Sequence, residues 1–137
     1  MYPEKLVVPM REDLTSVGFT ELKSARKVDE ALQNSSGTTM VVVNSVCGCA
    51  AGMARPGIKL ALQNAKVPQS ITTVFAGVDT EATERARSYM VPYPPSSPAV
   101  ALFKDGKLVH MVERHSIEGS TVQHIADNLV GAFNEHC

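Results

Sequence analysis

The sequence predicts an α/β protein with one mixed β-sheet that helices cover on both faces. Three observations support this prediction: strand-like and helix-like segments alternate through much of the chain, a hairpin signal follows, and an amphipathic helix comes last. Alternating strands and helices favour right-handed parallel crossovers, whereas hairpin strands are antiparallel. With an extra helix at the N-terminus, the predicted order is α followed by βαβαβαββα.

Local signals place the elements of the first part of the chain. Apolar residues at three-to-four spacing predict an N-terminal helix, which Pro9 should kink or break. Residues 19–23 form a short strand, and Ser24 caps a helix that stops near Ser36-Gly37. The β-branched and apolar segment 38–44 is then expected to be a central buried strand.

Two further helices and one strand follow. Residues 50–65 carry an apolar helical stripe that Pro56-Gly57 should kink. The next strand spans residues 70–78, and Asp79 or Thr80 caps the helix after it.

The last part of the chain combines a hairpin with a helix. Segments 99–103 and 108–112 flank Asp105-Gly106, which is a strong signal for two paired strands. Ser120 and Gln123 have the spacing of a capping box, so an amphipathic helix should begin there.

Composition limits the classes of protein that this chain can belong to. A length of 137 residues with 44% hydrophobic residues predicts a single domain over residues 1–137. A net charge of -1 with scattered basic residues argues against a nucleic-acid partner. No apolar run approaches the roughly 20 residues that cross a bilayer, so we expect no membrane partner and a cytoplasmic location. Three cysteines are too few for a secreted disulfide framework and favour catalytic or metal-binding thiols.

The motif Cys47-Gly48-Cys49 lies between the apolar run 40–43 and the helix-permissive stretch 50–54. A helix start offers unpaired N–H groups and the positive end of the helix dipole, and both lower a thiol pKa. Residues at i and i+2 point to different faces of a helix, so the two cysteines pair only if the backbone bends, which Gly48 permits.

The single intervening residue also predicts the redox behaviour of the pair. A disulfide between Cys47 and Cys49 would close a smaller ring than in Cys-x-x-Cys, and strained disulfides are the more oxidising ones. The pair should therefore be mostly reduced in a reducing compartment. Such a pair suits the opening or reshuffling of disulfides better than the reduction of very stable ones.

Several segments resemble known families. Residues 97–106 look like the thioredoxin segment in which a cis-proline faces the active cysteines, and Pro56 falls where the thioredoxin active-site helix carries a proline. Thioredoxins, however, carry a buried Asp where this chain has Val41. A closer resemblance, to the bacilliredoxin family, covers essentially the whole chain and rests on segments 43–52, 54–56, 95–98, 117–119 and the terminal His136-Cys137.

The resemblance implies a thioredoxin-like fold and thiol-disulfide exchange in the cytoplasm. Cys47 would be the attacking thiol and Cys49 the resolving thiol, removing the small thiol bacillithiol from mixed disulfides on proteins. Disulfide isomerase activity is also attributed to the family. The implied partners are bacillithiolated or disulfide-containing proteins and a regenerating thiol or reductase. No bound cofactor is implied, since bacillithiol is the exchanging small thiol.

Other residues are candidates for substrate binding. The resemblance implies a cis bond before Pro98, which would place backbone groups of Ser97 and Ala99 beside the cysteines, where an extended substrate would pair with them. Arg55, one or two turns beyond the thiols, would hold a carboxylate of a small thiol ligand. His115, after the last strand, would tune the thiolate or shuttle protons. A solvated charge and a surface-loop residue are the alternatives for Arg55 and His115.

Functions of other classes stay open at this stage. Cys47, Cys49, His136 and Cys137 would make a Cys3His zinc site if the C-terminus folded back, although their spacing is unusual for zinc. A non-catalytic redox-sensing module and two structural buried cysteines are the remaining alternatives.

Overall fold

The computed structural model describes residues 2–137 and contains one five-stranded sheet. In chain order the strands are β1 (Thr20–Glu21), β2 (Thr38–Asn44), β3 (Ser70–Phe75), β4 (Ala99–Lys104) and β5 (Lys107–Val112). Their order across the sheet is β1-β3-β2-β4-β5. Strands β1, β3 and β2 are parallel, whereas β4 is antiparallel to β2 and β5 is antiparallel to β4. The predicted mixed sheet is therefore confirmed.

The helices occur in the predicted order, with one addition. They are α1 (Glu4–Thr15), α2 (Ala25–Leu32), α3 (Arg55–Ala61), α4 (Thr80–Ser88), α5 (Arg114–Ile117) and α6 (Val122–His136). The short helix α5 was expected to be a loop. Over residues 2–137, none of these helices has the length and apolar character that a membrane-crossing helix requires.

Strand β2 is buried on both faces of the sheet. Met40 and Val42 point into one hydrophobic cluster, where α3 and α6 cover the sheet. Val41 and Val43 point into a second cluster, formed with α2 and α4 on the opposite face. All four side chains are at most 1% exposed. The apolar run that precedes the cysteines is thus the centre of both cores, and it fixes the loop that follows it.

Helix α1 runs continuously through Pro9, so the helix does not break at this residue. Its buried positions are Val7, Arg11 and Leu14, which have the three-to-four spacing of one helix face. Leu14 joins the cluster under α3 and α6. A charged residue occupies the middle of this inner face, and apolar spacing alone did not predict it.

Arg11 is 6% exposed and its charge is fully paired. Its guanidinium donates to Glu4 at 3.0 Å, to Glu21 at 2.7 Å and to Asp79 at 2.7 Å, and it lies 5.2 Å from the centre of the Phe75 ring. Asp79 is the N-cap position of α4, as predicted, but its carboxylate binds Arg11 and does not cap the helix. The buried ion cluster therefore joins α1, β1 and the start of α4.

The predicted cap of α2 is confirmed, whereas the predicted cap of α6 is wrong. Ser24 caps α2, since its hydroxyl accepts the N–H of a residue in the first turn. Helix α6 is capped by Thr121, which accepts the N–H of His124 at 3.0 Å. The capping box predicted for Ser120 and Gln123 was wrong by one residue, because two neighbouring hydroxyl residues present the same signal.

The helical segment after the cysteines is shorter and more irregular than predicted. Residues Ala50–Ala54 form a π-helical turn, in which the N–H of Arg55 donates to the carbonyl of Ala50. Helix α3 then begins with Pro56 in its first turn, where a missing N–H costs little. It ends at Ala61 rather than at residue 65. Turns of this wide type are frequent at functional sites. Strand β3 is also shorter than predicted, since it ends at Phe75 and not at residue 78.

Gly57 provides a test of the packing between α3 and α6. A Cβ at Gly57 would lie 2.8 Å from Cγ2 of Ile125, whereas a Cβ at Gly131 of α6 meets nothing within 4 Å. We expect Gly57→Ala to lower the free energy of unfolding by about 1–3 kcal/mol through overpacking. Gly131→Ala should raise it by about 0.5–1 kcal/mol, because alanine favours the helix. Urea denaturation of both variants measures this difference, and equal effects would contradict the tight packing at Gly57.

Candidate active site

The two cysteines lie in the loop that leaves β2. The hydroxyl of Ser45 accepts the N–H of Cys47 at 3.0 Å, and the carbonyl of Cys47 accepts the N–H of Ala50 at 3.0 Å. Cys47 is half-buried, and Cys49 is 8% exposed. Their Sγ atoms are 2.6 Å apart and both residues are free cysteines. The backbone therefore does bend as the Cys-Gly-Cys spacing required, and it brings the two sulfurs into contact.

The environment shifts the pKa values of the two thiols in opposite directions. The pKa of Cys47 is lowered, first by the hydrogen bond from the Cys49 thiol and next by the N–H of Cys49, against the opposing effect of burial. The pKa of Cys49 is raised, first by burial and next by its hydrogen bond to Cys47. The positive charge of Arg114 favours the thiolate form of both. Cys47 is thus the thiol that ionises first.

A buried network of hydrogen bonds around Arg55 holds the cysteine loop in place. Arg55 is 4% exposed, and its guanidinium donates to the Asn44 side-chain oxygen at 2.8 Å, to the Ser45 carbonyl at 3.1 Å and to Asp13 at 2.9 Å. The Asn44 amide in turn donates to the carbonyl of Met10. Helix α1, the end of β2 and the start of α3 are therefore joined directly beneath the cysteine loop.

This placement corrects the expectation for Arg55. A residue that binds a ligand carboxylate must present N–H groups to the solvent, but the Arg55 guanidinium is buried and bound to protein oxygens. Asp13 is its counterion: burial raises the Asp13 pKa, and hydrogen bonds from Lys59 and Arg55 overcome that effect and lower it. Arg55 positions the loop, and its role as a ligand-binding residue does not fit the structure.

The loop before β4 occupies the same end of the sheet. The Ser97–Pro98 peptide bond is cis, as the resemblance implied, and Val91–Pro92 is a second cis bond that was not expected. Ala99 pairs with Val43 of β2, so Pro98 lies beside the end of the strand that leads to the cysteines. The structure therefore brings Ser97, Pro98 and Ala99 to the thiol end of the sheet. Their part in substrate binding stays a prediction.

Arg114 is the residue of this site that sequence reasoning missed. Its Nη1 donates to the Ser97 carbonyl at 3.0 Å, and its charge acts on both thiols. His115, which was the predicted residue, has a side chain 76% exposed that lies 3.2 Å from Glu113. Successive helical residues point about 100° apart because an α-helix has roughly 3.6 residues per turn. The sequence signal was present in the segment 113–115, but choosing between neighbours required knowing that a helix begins there.

The C-terminal thiol lies at the opposite end of the fold. Helices α3 and α6 run side by side in the same direction, since Gly57 packs against Ile125 and the Asn64 side chain donates to Asn134 at 2.9 Å. Cys137 follows the last residue of α6. At a rise of 1.5 Å per residue, it lies about 22 Å along the helix axis from the first residue of α6. The zinc alternative required this residue beside Cys47, and the structure separates them. No set of three or more His, Cys, Asp or Glu side chains within residues 2–137 is placed to hold a metal ion.

The fold and the paired thiols define the class of this protein, a thiol-disulfide oxidoreductase of the thioredoxin fold. Thioredoxin of Fasciola hepatica superposes with a TM-score of 0.60 over 87% of this chain and 100% of that chain, at 19% sequence identity, which shows the shared fold.

Sequence comparison then identifies the family. The family model described as disulphide isomerase matches residues 2–137 of this chain. A bacilliredoxin of Cytophaga hutchinsonii is 56% identical over 98% of this chain and 99% of its own length. A bacilliredoxin of Koribacter versatilis is 53% identical over 100% of this chain and 94% of its own length. The chain therefore belongs to the bacilliredoxin family.

The hydrogen bond between the thiols can be tested by the pH dependence of Cys47 alkylation. In a Cys137→Ser background, the rate should rise with pH through a midpoint below that of a free cysteine, because only the thiolate reacts. Cys49→Ala should move this midpoint upwards, since it removes the largest cause of the lowered Cys47 pKa. Cys49→Ser retains an O–H donor and should move it less. Identical midpoints in all three proteins would show that Cys49 does not stabilise the thiolate.

Proposed function

We propose that this protein removes bacillithiol from mixed disulfides on cytoplasmic proteins, with Cys47 as the attacking thiol and Cys49 as the resolving thiol. The observation that carries this assignment is the contact between two sulfurs whose pKa values move in opposite directions. Relatives that are 56% and 53% identical over nearly the whole chain are named bacilliredoxins, which supports the choice of substrate.

The first step is an exchange of sulfurs. The Cys47 thiolate attacks the bacillithiol sulfur of the modified protein, and a bond forms between Cys47 and bacillithiol while the original disulfide breaks. The client protein leaves as a thiolate that takes a proton from solvent. A lowered pKa favours this step because it raises the fraction of Cys47 present as the nucleophile at neutral pH.

The second step clears the small thiol from Cys47. Cys49 loses its proton and attacks the Cys47 sulfur, which releases bacillithiol as a thiol and forms the Cys47–Cys49 disulfide. The mixed disulfide has then gained two electrons, which leave it as one client thiol and one bacillithiol, and the cysteine pair has lost two. A regenerating thiol or reductase returns them to the pair. The raised pKa of Cys49 keeps it protonated until Cys47 has lost its negative charge, since that charge is one cause of the shift.

The loop with Ser97, Pro98 and Ala99 is proposed to receive the client backbone. The substrate would lie along the thiol end of the sheet and pair with backbone groups next to Pro98, as in strand addition. Asn44, Ser45 and Arg55 are assigned to hold Cys47 in place, because their hydrogen bonds fix the backbone on its N-terminal side.

Disulfide isomerisation is the second candidate, and the description of the matching family as disulphide isomerase favours it. In this reaction Cys47 attacks a wrong protein disulfide and is displaced when another client thiol forms the correct one. The electrons of the client are rearranged without net reduction. Cys49 then serves only to release clients that stay bound to Cys47.

Mixed-disulfide trapping tests the order of the two thiols. Intact mass spectrometry follows wild type, Cys47→Ser and Cys49→Ser after incubation with a bacillithiol-modified protein, each in a Cys137→Ser background. We expect Cys49→Ser to accumulate one bacillithiol adduct and to release one equivalent of reduced client, because resolution is blocked. Cys47→Ser should show neither. An adduct on Cys47→Ser would reverse the roles, and a lack of transfer in every protein would exclude the proposed reaction.

The same variants distinguish removal of bacillithiol from isomerisation. A protein with scrambled disulfides and no bacillithiol is the matched substrate. If isomerisation dominates, Cys49→Ser should retain a measurable rate of native disulfide recovery, whereas multiple-turnover release of bacillithiol should fall to background. Faster turnover of the scrambled protein than of the bacillithiolated one, by kcat/KM, would favour the isomerase over the proposed function.

A further inference from the structure

Arg114 connects the short helix α5 to the loop before β4 at the thiol end of the fold. Its backbone N–H donates to the Ser96 hydroxyl at 3.3 Å, and its Nη1 donates to the Ser97 carbonyl at 3.0 Å. Its Nε donates to Glu118 at 2.9 Å, and its Nη2 lies 2.9 Å from the same carboxylate oxygen. One side chain thus contacts the residue before the cis-proline on one side and an acidic residue on the other.

The Arg114 side chain is also accessible and incompletely used. It is 42% exposed, and a guanidinium carries more N–H groups than these contacts engage. Its positive charge acts on both Cys47 and Cys49, in the direction that favours their thiolates. Glu118, which binds the guanidinium, is 61% exposed and carries the opposite charge. The carboxylate of Glu118 therefore weakens the electrostatic effect of Arg114 on the thiols.

We infer that Arg114 is a positioning residue for thiol exchange, that it stabilises the Cys47 thiolate while fixing the Ser97 carbonyl, and that Glu118 limits the strength of this stabilisation. This inference rests on the proposed role of Cys47 as the attacking thiol. Arg114 does not form a bond with the substrate sulfur. It acts through the charge on Cys47 and through the backbone of the loop that borders the thiols.

The opposing charge of Glu118 has a chemical consequence. A cation that stabilises the thiolate increases its amount at neutral pH, but it also lowers the nucleophilicity of that thiolate. The best attacking thiol has a pKa near the ambient pH. Because Glu118 partly neutralises Arg114, the pair exerts an intermediate electrostatic effect on the thiols. Substitution of either partner should therefore shift the pKa of Cys47 in a known direction.

The other charged groups around the thiols do not duplicate this arrangement. From the side of α3 and α1, the cysteine loop faces Arg55, Lys59 and Asp13, which are bound to one another beneath it. From α5, it faces Arg114 with Glu118 behind it. Within the loop, Cys49 is the titratable neighbour of Cys47. Arg87 of α4 also reaches the loop before β4, where its Nη2 donates to the Ser96 carbonyl at 3.4 Å. Of these two arginines, Arg114 is the one whose charge acts on both thiols.

Opposite substitutions test the inference. In a Cys137→Ser background, Arg114→Gln should raise the midpoint of Cys47 alkylation and lower its rate at pH 7 by about 3- to 10-fold, where about one pKa unit corresponds to a tenfold change in thiolate. Glu118→Gln should lower the midpoint. Arg114→Lys should keep the midpoint near wild type because the charge remains. It should nevertheless slow exchange with a protein disulfide by about 2- to 5-fold, since the planar contact to Ser97 is lost.

A second Arg–Glu pair provides the matched control. Arg26 and Glu30 are also four residues apart on a helix and lie on α2, with the Arg26 side chain 88% exposed. Arg26→Gln and Glu30→Gln make the same changes in net charge as the two test variants. Both should leave the alkylation midpoint of Cys47 unchanged, and thermal unfolding checks that all variants fold.

Ionic strength separates a charge effect from a structural one. The difference between wild type and Arg114→Gln should shrink in about 1 M salt, where the Debye length falls to about 3 Å. A difference that persists in salt, an unchanged midpoint in Arg114→Gln, or an equal shift in Arg26→Gln would each overturn the inference. Alkylation needs no disulfide substrate, so these outcomes are independent of whether the protein removes bacillithiol.

Discussion

The buried guanidinium of Arg55 is the interaction on which the active end of this fold depends. It binds Asp13 of α1, the side chain of Asn44 at the end of β2 and the carbonyl of Ser45 in the cysteine loop. Burying a charge is costly unless it is paired and fully hydrogen-bonded, so this arrangement is stable only when all three elements are in place. The position of Cys47 is therefore coupled to the docking of α1, an element outside the sheet.

The asymmetry between the two cysteines follows from burial and from this fixed loop. Cys47 lies at the surface end of the loop and accepts hydrogen bonds, whereas Cys49 is turned inward, where burial favours its neutral form. The contact between them increases this difference, because it lowers the pKa of Cys47 and raises that of Cys49. Two residues with the same side chain therefore differ in pKa because the backbone holds them at different depths.

Particular residues show how far sequence reasoning reached. The run that forms β2, the hairpin at Asp105-Gly106 and the Ser24 cap were confirmed, because each depends on local patterns of side chains. The buried ion pairs of Arg11 and Arg55 were not predicted, for one shared reason. A charged side chain is read as solvated unless its counterions are known, and those of Arg11 and Arg55 come from distant parts of the chain.

By itself, the sequence determined the fold class, the order of the strands and of the longer helices, and the Cys-Gly-Cys motif that the structure brings into contact. These features reside in short segments with their own conformational preferences. The tertiary structure decided which cation faces the thiols, where Arg55 points, and that Cys137 lies at the far end of α6. Such facts depend on how separate elements pack, because electrostatic and hydrogen-bonding partners are set by distance in space and not along the chain.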